Sequence, residues 1–320
     1  MFRDIAVNPP TVRALLLAGL AMMLGSPDTR ANIVIDPDNI LVTYFQSIRE
    51  YTRDGTLVQS IPVPYPDEPR PGTEWLKDVA MLADGRMAVF NGTFSPYMSI
   101  FNPASNSWSH STVEGWRVGN NVGFSGIGAF GTRVFANDQD FVSFIGDEGM
   151  VVFDADTGTG NRFEPRFGTR DVNIGADGKL YSIGARFVSQ DSIYVYDPIT
   201  LELERTLAHP NEFDPGAVAA DADGNIYIVE AHRVRKTAPN GDLIEIISLP
   251  TFFPNDLDIA ADGTVLIGSH VDGVFITDLS FSENTQIPVP GDARVGFAFG
   301  IPEPSSLFFL AALSASVLAR

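Results

Sequence analysis

The chain has no cysteine, so no disulfide staples its fold. Stability has to come from the core and from the way the architecture closes, and the redox state of the compartment is left open. Basic residues are scarce: 21 Lys and Arg stand against 40 Asp and Glu, a formal net charge of -19. That balance excludes a general nucleic-acid binder, which needs a basic face, and disfavours adsorption to anionic lipid. There are four histidines, His110, His209, His232 and His270, at unrelated places in the sequence. No G-x-S-x-G nucleophile signature occurs, and no glycine-rich phosphate loop with its lysine. Ser125, in Phe124-Ser125-Gly126, does not replace the missing motif.

What is abundant is turn chemistry. With 29 Gly, 22 Pro and 44% hydrophobic residues over 320 positions, the chain is turn-rich and long enough for a full core. Residues 171–207 read as two hairpins in series. Val172–Gly175 and Lys179–Ile183 flank Ala176-Asp177-Gly178, while Ser192–Tyr196 and Leu201–Leu207 flank Asp197-Pro198-Ile199-Thr200. Asp and Gly accept the positive φ that tight turns demand. The same order recurs around Asp84-Gly85, Asp223-Gly224 and Asp262-Gly263, and in diverged form around Asp38-Asn39 and Gly131. Taking Asp38, Asp84, Gly131, Asp177, Asp223 and Asp262 as marks, the steps are 46, 47, 46, 46 and 39 residues. Four short strands at this period predict the blades of an all-β propeller, which bury both faces of each sheet only by closing into a ring. Six copies give six blades. A seventh, degenerate blade near Gly115–Gly126 is the alternative, and it is short of residues. Arg294–Phe299 lies beyond the sixth copy and is expected to pair into the first blade, removing the open edges.

Two apolar segments flank this domain of residues 32–300. Arg3 and Arg13 precede Ala14–Leu24 (ALLLAGLAMML), and Thr29-Arg30-Ala31 places small residues before a cut. Residues 1–31 thus have the layout of a cleavable signal peptide, too short to span a bilayer. At the other end Pro302-Glu303-Pro304 makes a rigid break before Leu307–Leu318 (LFFLAALSASVL) and a terminal Arg320. A run of about twelve residues suits a transient membrane hold rather than a permanent anchor.

Residues 301–320 resemble the PEP-CTERM sorting signal of bacterial envelope proteins, in the order Pro302-Glu303-Pro304, apolar stretch, cationic stop. The family ends in several Arg or Lys, where this chain has Arg320 alone. The resemblance implies export, holding at the inner membrane and cutting near Pro302-Glu303-Pro304 by an exosortase-type enzyme as processing partner. It also implies a setting of exopolysaccharide or biofilm production. The blades resemble the NHL, gluconolactonase-like and streptogramin-lyase-like propellers, through the A-D-G turn followed by strands such as Asn225–Val229. That signature is shared by enzymes and binding modules.

Six residues before their turn Asp stand Asp78, Asp171 and Asp256, while copy five has Ala217 there, with Glu212 and Asp214 upstream. If the blades stack in register, these acids converge at the channel mouth where the innermost strands begin. With Asn255, and Asn121 as a further candidate, they form an oxygen-rich set suited to calcium or another divalent cation. The gluconolactonase-like resemblance implies a Glu, Asn and Asp set at this mouth; Asn255-Asp256 matches part of it, while Glu74 lacks the Gly-Pro expected after the Glu. The competing reading is that each Asp caps backbone N–H groups at a strand start, and it is the weightier of the two. His232 or His270 is the candidate general base of a lyase-like reaction, against the commoner packing or surface role. Trp75, Trp108, Trp116, Phe252 and Phe253 either form a stacking surface for sugar or peptide or fill space between blades. Two functions follow: a non-catalytic binding or scaffold module of the envelope or matrix, with a polysaccharide or protein partner, or a divalent-metal-dependent lactonase or hydrolase.

Overall fold

Six four-stranded antiparallel sheets stand around one axis in a computed structural model of the chain. It describes residues 33–64, 76–91, 96–116, 126–138, 149–163, 169–184, 192–208, 215–249, 253–282, 284–289, 291 and 293–300. Both terminal segments read above, and Glu74, Trp75, Asn121, Ser125, His209, Glu212, Asp214 and Phe252, lie outside those residues.

In chain order, blade 1 contributes β1 (Ile40–Tyr44), β2 (Ser47–Tyr51) and β3 (Leu57–Pro62). Blade 2 is β4 (Leu76–Met81), β5 (Met87–Asn91), β6 (Tyr97–Asn102) and β7 (Ser107–Ser111). Blade 3 is β8 (Ile127–Phe130), β9 (Arg133–Asp138), β10 (Gly149–Asp154) and β11 (Thr159–Phe163). Blade 4 is β12 (Thr169–Ile174), β13 (Leu180–Gly184), β14 (Ser192–Tyr196) and β15 (Leu203–Ala208). Blade 5 is β16 (Pro215–Ala220), β17 (Ile226–Glu230), β18 (Arg233–Thr237) and β19 (Leu243–Ser248). Blade 6 is β20 (Pro254–Ile259), β21 (Thr264–Ser269), β22 (Gly273–Asp278) and β23 (Thr285–Ile287). The last strand, β24 (Val295–Phe297), returns to pair antiparallel with β1 and becomes the innermost strand of blade 1.

That closure is as the sequence led one to expect. Residues 33–36 ahead of β1 form no strand. Their place beside β1 is taken by β24 from the other end of the chain, and Ala298 N–H donates to Asn39 O at 3.1 Å to lock the two ends together. Asp38 therefore marks where the turn from innermost to second strand would lie if the chain were not cut there.

Burial explains the strand grammar. The second strands such as β13 and β17 are largely apolar and wholly buried, the innermost strands are almost wholly buried but carry Asp, Arg and Asn, and β15 and β19 at the rim alternate little and are largely exposed. A blade buries its faces only against its neighbours, and the core accordingly divides into six clusters, each bridging two adjacent blades. Between blades 2 and 3, Trp116 stacks on Phe90 with ring centres 4.9 Å apart, and its indole N–H donates to Asn137 O at 3.0 Å. Trp108 packs against Phe101 on the outer half of blade 2. Both tryptophans therefore fill space within the ring. Among the described residues no helix is long and apolar enough to cross a membrane.

Candidate functional site

The innermost strands β4, β12, β16 and β20 share a defect near their start. The register slips between Leu76 and Asp78, Thr169 and Asp171, Pro215 and Ala217, and Pro254 and Asn255-Asp256. An extra residue there bends the strand and turns the next side chain toward the axis. In blades 2, 4 and 6 that side chain is an aspartate, and all three are buried.

Each carboxylate is held by backbone. Asp78 accepts from its own Val79 N–H at 2.7 Å and from Ile127 N–H of blade 3 at 2.9 Å. Asp171 accepts from Val172 N–H and, at 2.7 Å, from Val218 N–H of blade 5. Asp256 accepts from Leu257 N–H at 2.9 Å and from Val295 N–H of blade 1 at 2.7 Å. Each acid thus ties its blade to the next, and the last of them fastens the closing strand. Asp258, two residues on and on the same face of β20, repeats the arrangement one layer down. It accepts from Ile259 N–H at 3.0 Å, from Phe297 N–H, and from the Asn173 side chain of blade 4. Asn173 Nδ2 also donates to Leu257 O at 2.9 Å, crossing the channel from blade 4 to blade 6.

The three acids do come together at the axis, as their spacing predicted, and their electrostatics show it. Burial pushes the Asp78 carboxyl well above the ordinary range, with the Asp256 charge adding to the rise and Arg294 opposing it. Burial followed by the Asp256 charge raises Asp171 to about 7, and the same two causes in the same order raise Asp258 to about 7. Arg294, buried on the closing strand, donates to the Asn255 carbonyl at the bulge of blade 6.

These bonds are those of the capping reading. Asp78, Asp171 and Asp256 form a hydrogen-bonding layer that ties blades together, and Asn255, the fourth of the proposed metal set, gives its backbone carbonyl to Arg294. Among the described residues no group of three His, Cys, Asp or Glu side chains is arranged to hold a metal ion. The histidines do not join the acids. His110 lies on β7 at the rim with Nδ1 2.8 Å from Ser99 Oγ, and burial pushes its pKa down. His232 and His270 are exposed in the turns after β17 and β21. Phe253, at the start of blade 6, is exposed.

The cavity that accompanies the acids opens away from the expected mouth. It begins at the level of Asp78 and Asp256 and runs to the turns at the far ends of the innermost strands, with a volume of about 540 Å³. That size falls in the range of small-molecule sites. Its walls are apolar, with Met81, Phe130, Ile174, Ile259, Phe297 and Phe299 prominent. Asp258 and Asn173 project among them, and Asp177, Lys179 and Asp197 stand at the rim on the turns of blade 4. Strand alternation alone could have found Asp258 and Asn173, since each lies two residues beyond a recognised axial Asp on the same face.

No family model matches the sequence, and no curated protein matches it. Solved structures do match. A chain of the nidogen/laminin complex superposes with a TM-score of 0.63 at 14% identity, covering 82% of this chain and 99% of its own. A protein of unknown function from Bacteroides caccae superposes with a TM-score of 0.55 at 10% identity, covering 81% of this chain and 98% of its own. At these identities the likeness is one of fold, and the fold shared is the β-propeller.

Proposed function

We propose that this chain is a non-catalytic binding module, exported and held briefly at the inner membrane before it acts in the cell envelope or matrix. The observation that carries the non-catalytic part is the fate of the axial carboxylates. Asp78, Asp171 and Asp256 each use both oxygens, or one oxygen twice, on backbone N–H groups of two blades. A carboxylate used in this way has a structural role in building the ring, which is the role the non-catalytic reading gives it; a lactonase would use it to bind and polarise a substrate through a metal. The roomy apolar cavity beside them is of a size to bind a small molecule. Export rests on the sequence of residues 1–31 and 301–320, and the exosortase-type partner and the exopolysaccharide setting rest on Pro302-Glu303-Pro304 with its following apolar run.

Fractionation of cells carrying an internally tagged chain tests the location. The native chain should reach the envelope or medium shortened at its C-terminus, and a Pro302→Ala, Glu303→Ala, Pro304→Ala variant should stay full length with the membrane. Full-length native chain in the cytoplasm would overturn export. A lactone and ester screen after EDTA, with and without added calcium, tests the chemistry. Turnover that depends on the metal and is lost in Asp256→Asn would overturn the non-catalytic reading.

A further inference from the structure

The axial cavity combines three features that select one chemistry. It is deep and apolar along its walls, with Phe130, Phe297 and Phe299 among the lining residues, so its occupant has an apolar body. Its inner end is acidic: Asp78, Asp256 and Asp258 all line it. Its rim is acidic as well, with Asp177 and Asp197, and Lys179 is the single lysine or arginine among the lining residues. That lysine is engaged, 2.5 Å from Glu204 and 4.0 Å from Asp197. Arg294 does not line the cavity; it donates to Asn255 O, on the bulge one residue before Asp256. At pH 8, above the value of about 7 to which burial raises Asp258, the ionised carboxylate at the end of this low-dielectric channel focuses a negative potential inward.

We infer that this cavity binds aliphatic amines: an apolar chain that fills the channel and ends in a primary ammonium group directed at Asp258. The inference rests on the binding-module reading and names its ligand class. Two details support Asp258 as the receiving group. It is the axial acid set one layer farther toward the open end, and unlike Asp78 and Asp256 it is only half-buried, its remaining exposure facing the cavity. A carboxylate has about four lone-pair sites, so its bonds to Ile259, Phe297 and Asn173 leave room for one more donor. Neutral ligands of the same shape would gain the walls but not the charge, and a charged hydrogen bond in a desolvated site is among the stronger polar contacts.

Isothermal titration calorimetry of the full chain at pH 8 with hexylamine and with 1-hexanol tests this. Hexylamine should bind at least ten times more tightly than hexanol. Asp258→Asn should weaken hexylamine about ten-fold and leave hexanol unchanged. Ala80→Leu adds volume from a half-buried, cavity-lining position of β4 and should remove binding of both, with near-ultraviolet circular dichroism reporting that the ring is intact. Equal affinity for amine and alcohol, hexylamine binding that survives Ala80→Leu, or no binding at all would overturn the assignment. These outcomes are separate from those above. A chain found in the cytoplasm, or one that turns over a lactone, defeats the proposed function whatever hexylamine does.

Discussion

The axial carboxylates make the stability of this propeller fall as pH rises through neutrality, opposite to the usual behaviour of an acidic protein held by ion pairs. Burial raises Asp171 and Asp258 to about 7 in the folded ring, against an ordinary aspartate value of 3.8. Between those values the folded chain keeps protons that the unfolded chain has released. The contribution is therefore complete below pH 4 and is lost as pH climbs to about 7. Each such group tilts unfolding free energy by up to about 1.4 kcal/mol per pH unit. Asp258 faces cavity water, so its share is smaller, and the pair should lose about 2 kcal/mol per unit between pH 5 and 6.5. Two effects act alongside. His110, whose pKa burial lowers, gains stability with rising pH near its own titration and offsets part of one group. Asp154 and Asp197, held below the usual range by the N–H groups of Thr157 and Thr200, lose their contribution only under more acid conditions. The chain should thus be most stable near pH 4–5.

Urea melts at half-unit steps from pH 4.5 to 8 would measure this. Urea is uncharged, and 0.3 M NaCl screens the general repulsion expected from 40 Asp and Glu against 21 Lys and Arg. The descending limb should survive the salt and become shallower by roughly half of one proton equivalent in Asp258→Asn. Stability that rises from pH 5 to 7 in high salt, or an unchanged slope in the variant, would refute the assignment of neutral carboxyls to the axis.

Three further outcomes follow from the same contacts. Gly126→Ala should cost about 1–3 kcal/mol in urea melts, because its Cβ would stand 1.6 Å from Asp171 Oδ1 and 2.5 Å from Val172 N. Glu230→Ala should cost about 3–5 kcal/mol, since the fully buried Glu230 receives Arg233 and Arg235, each at 2.7 Å, and its loss removes a buried acceptor from both guanidinium groups. A chain stopped after Val289 lacks β24 and leaves the blade 1 edge unpaired; it should lose the single cooperative melt of the full chain and aggregate, as followed by size-exclusion chromatography.

The blade count and the closing strand were legible because both rest on local chemistry repeated at a fixed period: a short apolar strand, an Asp-Gly turn, another strand. The axial position of Asp78, Asp171 and Asp256 was legible for the same reason. What local chemistry could not supply was competition between distant segments. Ile33–Asp36 has a strand's composition, yet β24 holds that edge, because Asp256 and Asp258 reach across from blade 6 to its N–H groups. Arg294 was hidden by the same cut in the chain. It holds in blade 1 the place of the axial Asp, but no turn residue follows it from which to count. Which end of the channel carries the cavity was illegible too, since alternation tells which residues face the axis and not how far along it the walls draw apart.

Axial acids tie the blades in pairs. Asp78 joins blade 2 to blade 3, Asp171 joins blade 4 to 5, and Asp256 joins blade 6 to 1. The other three junctions lack an axial acid, and a glycine there lets the backbones approach closely. A Cβ on Gly296 would meet Val79 O at 2.5 Å between blades 1 and 2, one on Gly128 would meet Ile174 N at 2.8 Å between blades 3 and 4, and one on Gly216 would meet Pro254 O at 2.9 Å between blades 5 and 6. Junctions with an acid tie and junctions without one alternate around the axis, while close glycine approaches occur at both kinds, as with Gly268 and Ala293 O between blades 6 and 1. Acids on neighbouring blades would place like charges side by side in a buried layer, which is costly, so spacing them on every second blade keeps the layer tolerable. Such alternation closes only on an even number. A seventh blade would have to set two acid ties or two untied junctions in succession, and the sequence between Gly115 and Gly126 provides no axial acid from which to make a tie.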